Sequence, residues 1–234
     1  MPRIDIRGVI VPNEDKEFYE WFGYEATSPK DIRDVLEAAG GETVDVYINS
    51  PGGEIASGSE IYAALREYGN VKIHITGHAC SAASVIAMAG WSEMAPTALL
   101  MIHCVSSCGS GNHSDFEHMA EKLKTADEAM SSAYAAKTGR DRKEFLKMME
   151  AETWITAQRA VELNMVDQIM EPQQQSVQIA ASAFPLLSDE QKERARDMLE
   201  ARDKAEQLEV AKAGARLRLL GLEGEKRRKM QHEV

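Results

Sequence analysis

Two turns of small residues and one histidine carry the chemistry that this chain could perform. Asn49-Ser50-Pro51-Gly52-Gly53 stands directly after a strand-like run and before a helical one. A glycine pair at such a place lets the backbone approach a ligand and present N–H groups to an anion or oxyanion, although a tight turn alone would use the same residues. The stretch lacks the Lys-Ser/Thr ending of a phosphate-binding loop. Gly77-His78-Ala79-Cys80-Ser81-Ala82-Ala83-Ser84 forms a second strand-to-helix turn. A serine at a helix start is ordinarily a cap. In the chemical reading Ser81 is a nucleophile, and its small neighbours leave room for a substrate backbone. His103 follows a strand-like run, and strand ends in parallel sheets face the site crevice, so reach to Ser81 as a general base is expected. A rival use of this region is metal binding by His103, Cys104, Cys108, His113 and His118. Cys-x3-Cys followed by two spaced histidines fits no common zinc template, and no metal is expected. Cys80, beside the serine, reads as a buried small residue rather than a modifiable thiol.

The elements that must position these residues are legible in the pattern. Residues 4–11 alternate as a strand, and Phe18, Tyr19, Trp21, Phe22 and Tyr24 follow as an aromatic cluster expected to form a lid or to pack on the core edge. Ser28-Pro29-Lys30-Asp31 opens a helix that should end at Gly40-Gly41. Strand-like runs then recur at 44–48, 71–76 and 98–102, with 27 positions from Val44 to Val71 and again from Val71 to Ala98. Helical stretches at 55–67 and 81–90 lie between them, which implies parallel crossovers and a sheet covered by helices. The second of these helices is small or apolar throughout and should be buried on all sides. Ser114-Asp115-Phe116-Glu117 reads as a capping box for a long helix to about Thr138, with Met119, Leu123, Ala126, Met130 and Ala133 as its apolar stripe. Shorter helices at 141–150 and 157–163 and a strand at 166–170 close the domain.

Composition sets the outer bounds. The chain has 234 residues and a net charge of -11, from 27 Lys+Arg against 38 Asp+Glu. That length supports one sizeable core with an appendage. The acidic balance argues against a nucleic-acid partner, no apolar run is long enough to cross a bilayer, and the first residues lack a signal-peptide pattern. Three cysteines are too few for a disulfide framework, so a reducing, cytoplasmic setting is expected. The character changes near Glu171-Pro172-Gln173. Residues 171–187 read as a linker and 188–234 as a charged helical tail, with 12 Lys+Arg and 11 Asp+Glu. That tail reads as a solvated helix, a coiled-coil arm or a partner-binding arm.

The stretches INSPGGEIASGSEIY (48–62), ITGHACSAASVIAMAG (75–90), LLMIH (99–103) and ETWITAQRAVELNMVD (152–167) together resemble the proteolytic subunit of the Clp protease family, over roughly residues 1–170. The serine stretch and the Glu-Thr-Trp motif lean towards the Clp-like proteases of phage and prophage, many of which belong to head-maturation modules. The resemblance implies an α/β fold, a crotonase-like stack of ββα units with the long helix as a handle, and a serine endopeptidase domain over 1–170. It places the nucleophile at Ser81, the general base at His103 and the oxyanion hole at the backbone N–H groups of Gly53 and Ala82, with Gly52 and Gly53 along the substrate. The usual third acid aligns with Glu152, a departure from aspartate that leaves Glu150 and Asp167 as substitutes. It further implies a homo-oligomer of stacked heptameric rings, polypeptide substrates, no cofactor, and an unfoldase ATPase or phage capsid proteins as partners. The chain itself carries no nucleotide motif, so any ATP dependence lies in a partner. Two other classes share the fold: a catalytically silent scaffold, and a crotonase-type acyl-CoA enzyme that needs no nucleophilic serine.

Overall fold

A computed structural model describes residues 1–171 and Lys204. The linker and tail expected over 171–187 and 188–234 lie, apart from Glu171 and Lys204, outside the described residues. The domain is a mixed α/β structure on one eight-stranded sheet. In chain order it runs β1 (Arg3–Ile10), α1 (Lys16–Trp21), β2 (Ala26–Thr27), α2 (Pro29–Ala39), β3 (Val44–Gly53), α3 (Ile55–Tyr68), β4 (Val71–Cys80) and α4 (Ala82–Ile86). Then come β5 (Trp91–Met94), β6 (Leu99–Ile102), α5 (His113–Thr138), α6 (Arg142–Glu150), β7 (Thr153–Thr156), α7 (Ala157–Glu162) and β8 (Gln168–Ile169).

The main path of the sheet is β2-β1-β3-β4-β5-β8, with every neighbouring pair parallel. Strand β4 belongs to two pairings. Its first half, Lys72 to Ile75, pairs with β5, and its second half, His78 to Cys80, pairs with β6. Strand β7 then returns antiparallel on β6. The pattern of β3 and β4 alternates because only one face of each is packed on the core. Val46, Ile48, Ile73 and Ile75 point inward and are fully buried. On the opposite face Arg3 lies over the Tyr47 ring at 4.0 Å and Tyr47 stacks on His74 at 4.6 Å. His74 is there clasped by Glu93 at 2.8 Å and Asp45 at 3.1 Å.

The segment 82–89 is buried at every position, as its composition implies, but it stays α-helical only to Ile86. Trp91–Met94 then forms a strand, β5, that no sequence pattern announced. The cap of α5 sits two residues earlier than expected: Asn112 accepts from the Ser114 and Asp115 backbone N–H groups, and Asp115 reciprocates by accepting from the Asn112 N–H. The aromatic cluster also differs from the expectation. Phe18, Trp21, Phe22 and Tyr24 are 63%, 79%, 67% and 63% exposed, and the rings meet one another rather than the core. Helix α1 buries none of its residues.

Helix α6 is fixed by Phe145, which is fully buried and lies 5.6 Å from the Tyr134 ring on α5. Phe145→Ala should therefore cost about 3–5 kcal/mol, the range for emptying a buried aromatic site, read as a fall in the denaturant midpoint of unfolding.

Candidate active site

The site is built where β4 changes partner. The β3–β4 register slips between Ile48 and Ser50, so β4 bulges opposite Asn49. The Asn49 side chain fills that bulge, its Oδ1 accepting from the His78 N–H at 2.9 Å. A Cβ on Gly77 would stand 2.3 Å from the same Oδ1, so the position needs glycine. Beyond the bulge β4 ends at Cys80, and Ser81 turns the chain with φ 55° and ψ -126°. A non-glycine residue in this region is strained and persists only where its surroundings hold it. The Ser81 N–H donates to Met101 O at 2.9 Å, and its side chain caps nothing.

Instead, Ser81 Oγ lies 2.8 Å from His103 Nε2. His103 is the first residue past β6, and β6 runs parallel to the end of β4, so adjacent strands carry the two groups to the same edge. With the ring proton on Nδ1, Nε2 accepts the hydroxyl hydrogen. Among the described residues no side chain hydrogen-bonds to Nδ1.

The glycine pair supplies the opposite wall. A Cβ on Gly52, whose φ is +96°, would lie 2.7 Å from Ser81 Cβ and 3.0 Å from Ala82 N. Gly53, at φ +153°, is pressed just as closely against the Ile10 backbone. Glu54 then caps α3, accepting from the Ala56 N–H at 2.9 Å. Gly53, Ser81, Ala82 and His103 line one cleft, whose apolar side is made by Val85, Met130 and Tyr134.

Helix α5 reaches into this cleft from behind. Ser84 donates to the Ser81 carbonyl at 2.6 Å and lies 2.7 Å from the Tyr134 hydroxyl. Ser84 has one O–H and a carbonyl only accepts, so Tyr134 is the donor to Ser84. Burial pushes the Tyr134 phenol far above its ordinary value, which keeps it a donor.

Residues 35–173 match the sequence model of the Clp protease family. This chain belongs to the Clp protease family. Over 135 residues it is 30% identical to the ATP-dependent Clp protease proteolytic subunit of Porphyromonas gingivalis, a match that takes in 56% of this chain and 61% of that protein. The chain thus spans 61% of the length of that curated relative.

Of the residues expected in a Clp protease site, the structure brings Ser81, His103, Gly52, Gly53 and Ala82 together. The acids stand apart. Glu152 adopts φ 44° and its carboxylate accepts from the Trp154 indole N–H at 3.3 Å, with no hydrogen bond to His103. Asp167 is taken by Lys137 and by the Ser92 N–H at 2.7 Å, and Glu150 is exposed beside Cys104. Of the residues weighed as metal ligands, His113 and His118 ride on α5 while His103 faces Ser81. Among the described residues no group of three His, Cys, Asp or Glu is placed to hold a metal ion.

Sequence reasoning missed Asp127 and Tyr134. Both lie on the inward side of α5 with Met130, at i, i+3 and i+7, and an acid within such a stripe was the available signal.

Burial, the negative charges of Asp127 and Glu150 and a hydrogen bond to Asp127 push the Cys104 thiol from its ordinary 9.0 up to about 11. The folded chain therefore keeps a proton that the unfolded chain releases, and this contribution is present below pH 9 and is lost as pH rises towards about 11. The free energy of unfolding should fall more steeply over that interval in the native protein than in Cys104→Ala, as measured by denaturant titrations at stepped pH.

Proposed function

We propose that this chain is the proteolytic subunit of a serine endopeptidase, with Ser81 as nucleophile and His103 as general base. The observation that carries this reading is the 2.8 Å contact between Ser81 Oγ and His103 Nε2, made by a serine in a strained turn that caps nothing. In the proposed step His103 Nε2 takes the Ser81 hydroxyl proton as Oγ attacks a peptide carbonyl. The Gly53 and Ala82 N–H groups donate to the oxyanion that forms. The same proton passes to the leaving amine, the C–N bond breaks, and water then hydrolyses the acyl-enzyme by the reverse roles. None of these steps calls on a metal or cofactor.

Glu152 is the proposed third acid, reaching Nδ1 once it leaves the Trp154 indole. With the carboxylate on Trp154, the site works as a dyad. That placement is also what favours the second reading, a scaffold whose serine is silent. An acyl-CoA enzyme is less well supported, because it gives no role to a serine held against a histidine.

The finer proposal is a homo-oligomer of stacked rings enclosing the sites, acting on unfolded polypeptides fed by an ATP-driven partner or on phage capsid proteins. What supports it is family membership and the phage-like style of the serine and Glu-Thr-Trp motifs. A cytoplasmic setting suits it, and among the described residues no helix is long and apolar enough to cross a membrane.

Intact-mass analysis after fluorophosphonate treatment tests the core of this reading. The native protein should gain one adduct, mapped to Ser81, and Ser81→Ala none. His103→Ala should slow adduct formation by ~10²-fold or more, the scale of a lost general base. A native, assembled protein that stays unmodified with and without an unfoldase would favour the scaffold.

A further inference from the structure

The geometry points to Asp127 as the residue that positions His103, by holding the backbone just beyond it against α5. This inference rests on the reading of Ser81 and His103 as nucleophile and base, and it names a further residue on which their alignment depends.

The ladder between β6 and β7 ends at the pair Ile102↔Thr153, so His103 stands one residue outside any strand. From Ser106 to Asn112 the chain is irregular and exposed. Between the ladder and that open run, two backbone N–H groups are tied down. Cys104 donates to Met149 O at 3.2 Å, and Val105 donates to Asp127 Oδ1 at 2.6 Å. The second bond is the shorter and the last before the exposed run.

The carboxylate has two partners, and both belong to the segment just past His103: the Val105 N–H and the Cys104 thiol. Among the described residues Asp127 enters no ion pair, and it neither caps a helix nor faces a cation. It is half-buried, and besides the Val105 N–H it accepts a hydrogen bond from the Cys104 thiol, so both of its contacts tie down the residues that follow His103.

The rest of α5 shows what the bond is for. Two turns along the same face, Tyr134 reaches the Ser81 carbonyl through Ser84. Met130, between them, walls the cleft. One helix thus grips the nucleophile's backbone with Tyr134 and the base's backbone with Asp127, so the separation of Oγ and Nε2 is referred to a single rigid body. Without the Val105–Asp127 bond, His103 would hang from one weaker hydrogen bond and the end of a strand.

The test compares Asp127→Ala, which removes the acceptor, with Asp127→Asn, whose Oδ1 can still accept from Val105 N–H. Both variants keep a helix-compatible residue on a partly exposed face, and assembly and circular dichroism are checked against the native protein. Hydrogen exchange of the peptide covering residues 103–108 should accelerate in Asp127→Ala and match the native rate in Asp127→Asn. Peptide hydrolysis should lose kcat by ~10- to 100-fold in Asp127→Ala, the scale of a misplaced catalytic group, with a smaller change in KM and recovery in Asp127→Asn. Native exchange in Asp127→Ala would overturn the inference. So would an Asp127→Asn protein as impaired as Asp127→Ala, because charge rather than the accepted hydrogen bond would then matter. If the native protein neither cleaves peptide nor takes up fluorophosphonate, the peptidase reading fails, and the exchange comparison still decides whether Asp127 holds the loop.

Discussion

Two backbone segments meet at the site with no space for a side chain between them. Gly52 sits so close to the Cys80–Ala82 turn that a single added carbon would collide with the Cys80 carbonyl and the Ser81 side chain. Gly53 is pressed equally hard against Ile10 on the neighbouring strand. These approaches bring β1, the end of β3 and the Ser81 turn into one layer. Gly58 on α3 extends the same closeness, because a Cβ there would lie 2.9 Å from Ala82 Cβ. The position of Ser81 is therefore set by main-chain packing. Its own side chain is left free to meet His103, and polar groups on α5 complete the arrangement from the other side.

Much of this architecture is legible in the amino-acid sequence. The 27-residue repeat locates β3 and β4 at their first residues and β6 within one, because strands buried on a helix-covered face show their apolar runs plainly. The contact between Ser81 and His103 was legible because both stand at strand ends. What escaped has physical reasons. Strand β5 is four residues, Trp-Ser-Glu-Met, and two of them are polar: Glu93 contacts His74 on the outer face, while Ser92 is fully buried and bonded to Asp167. Asn112 and Ser114 are both good caps with an acid three residues on, and residue type alone does not choose between registers two apart. The aromatic cluster reads as a lid or as packing on the core edge, yet its rings sit exposed on a short excursion between β1 and β2. Glu152 aligns by motif, whereas the direction of its carboxylate follows from a left-handed backbone that no motif encodes. Asp127 stands out only as an acid within an apolar stripe, and its partner could not be read because a backbone N–H is carried by every residue but proline.

The polar face of the sheet completes the electrostatic picture. His74 bridges Asp45 and Glu93 across three strands, with Tyr47 and Arg3 stacked above it. These groups satisfy one another locally, away from the cleft. Lys137 does the same work between α5 and the end of the domain, bonding the Gly90 carbonyl at 2.8 Å and pairing with Asp167. Asp167 is thus committed to holding the long helix in place.

The order of the strands also has a meaning for the chain as it is being made. Ser81 and its glycine wall come from the first half of the domain, but the strand that leads to His103 is flanked by β7, and the Cys104 N–H needs Met149. Roughly 75 residues separate Ser81 from the end of β7. At ~5–20 residues per second a ribosome takes several seconds to add them. Throughout that interval a nascent chain carries Ser81 without His103 fixed against it, so the cleft closes only when nearly the whole domain has emerged.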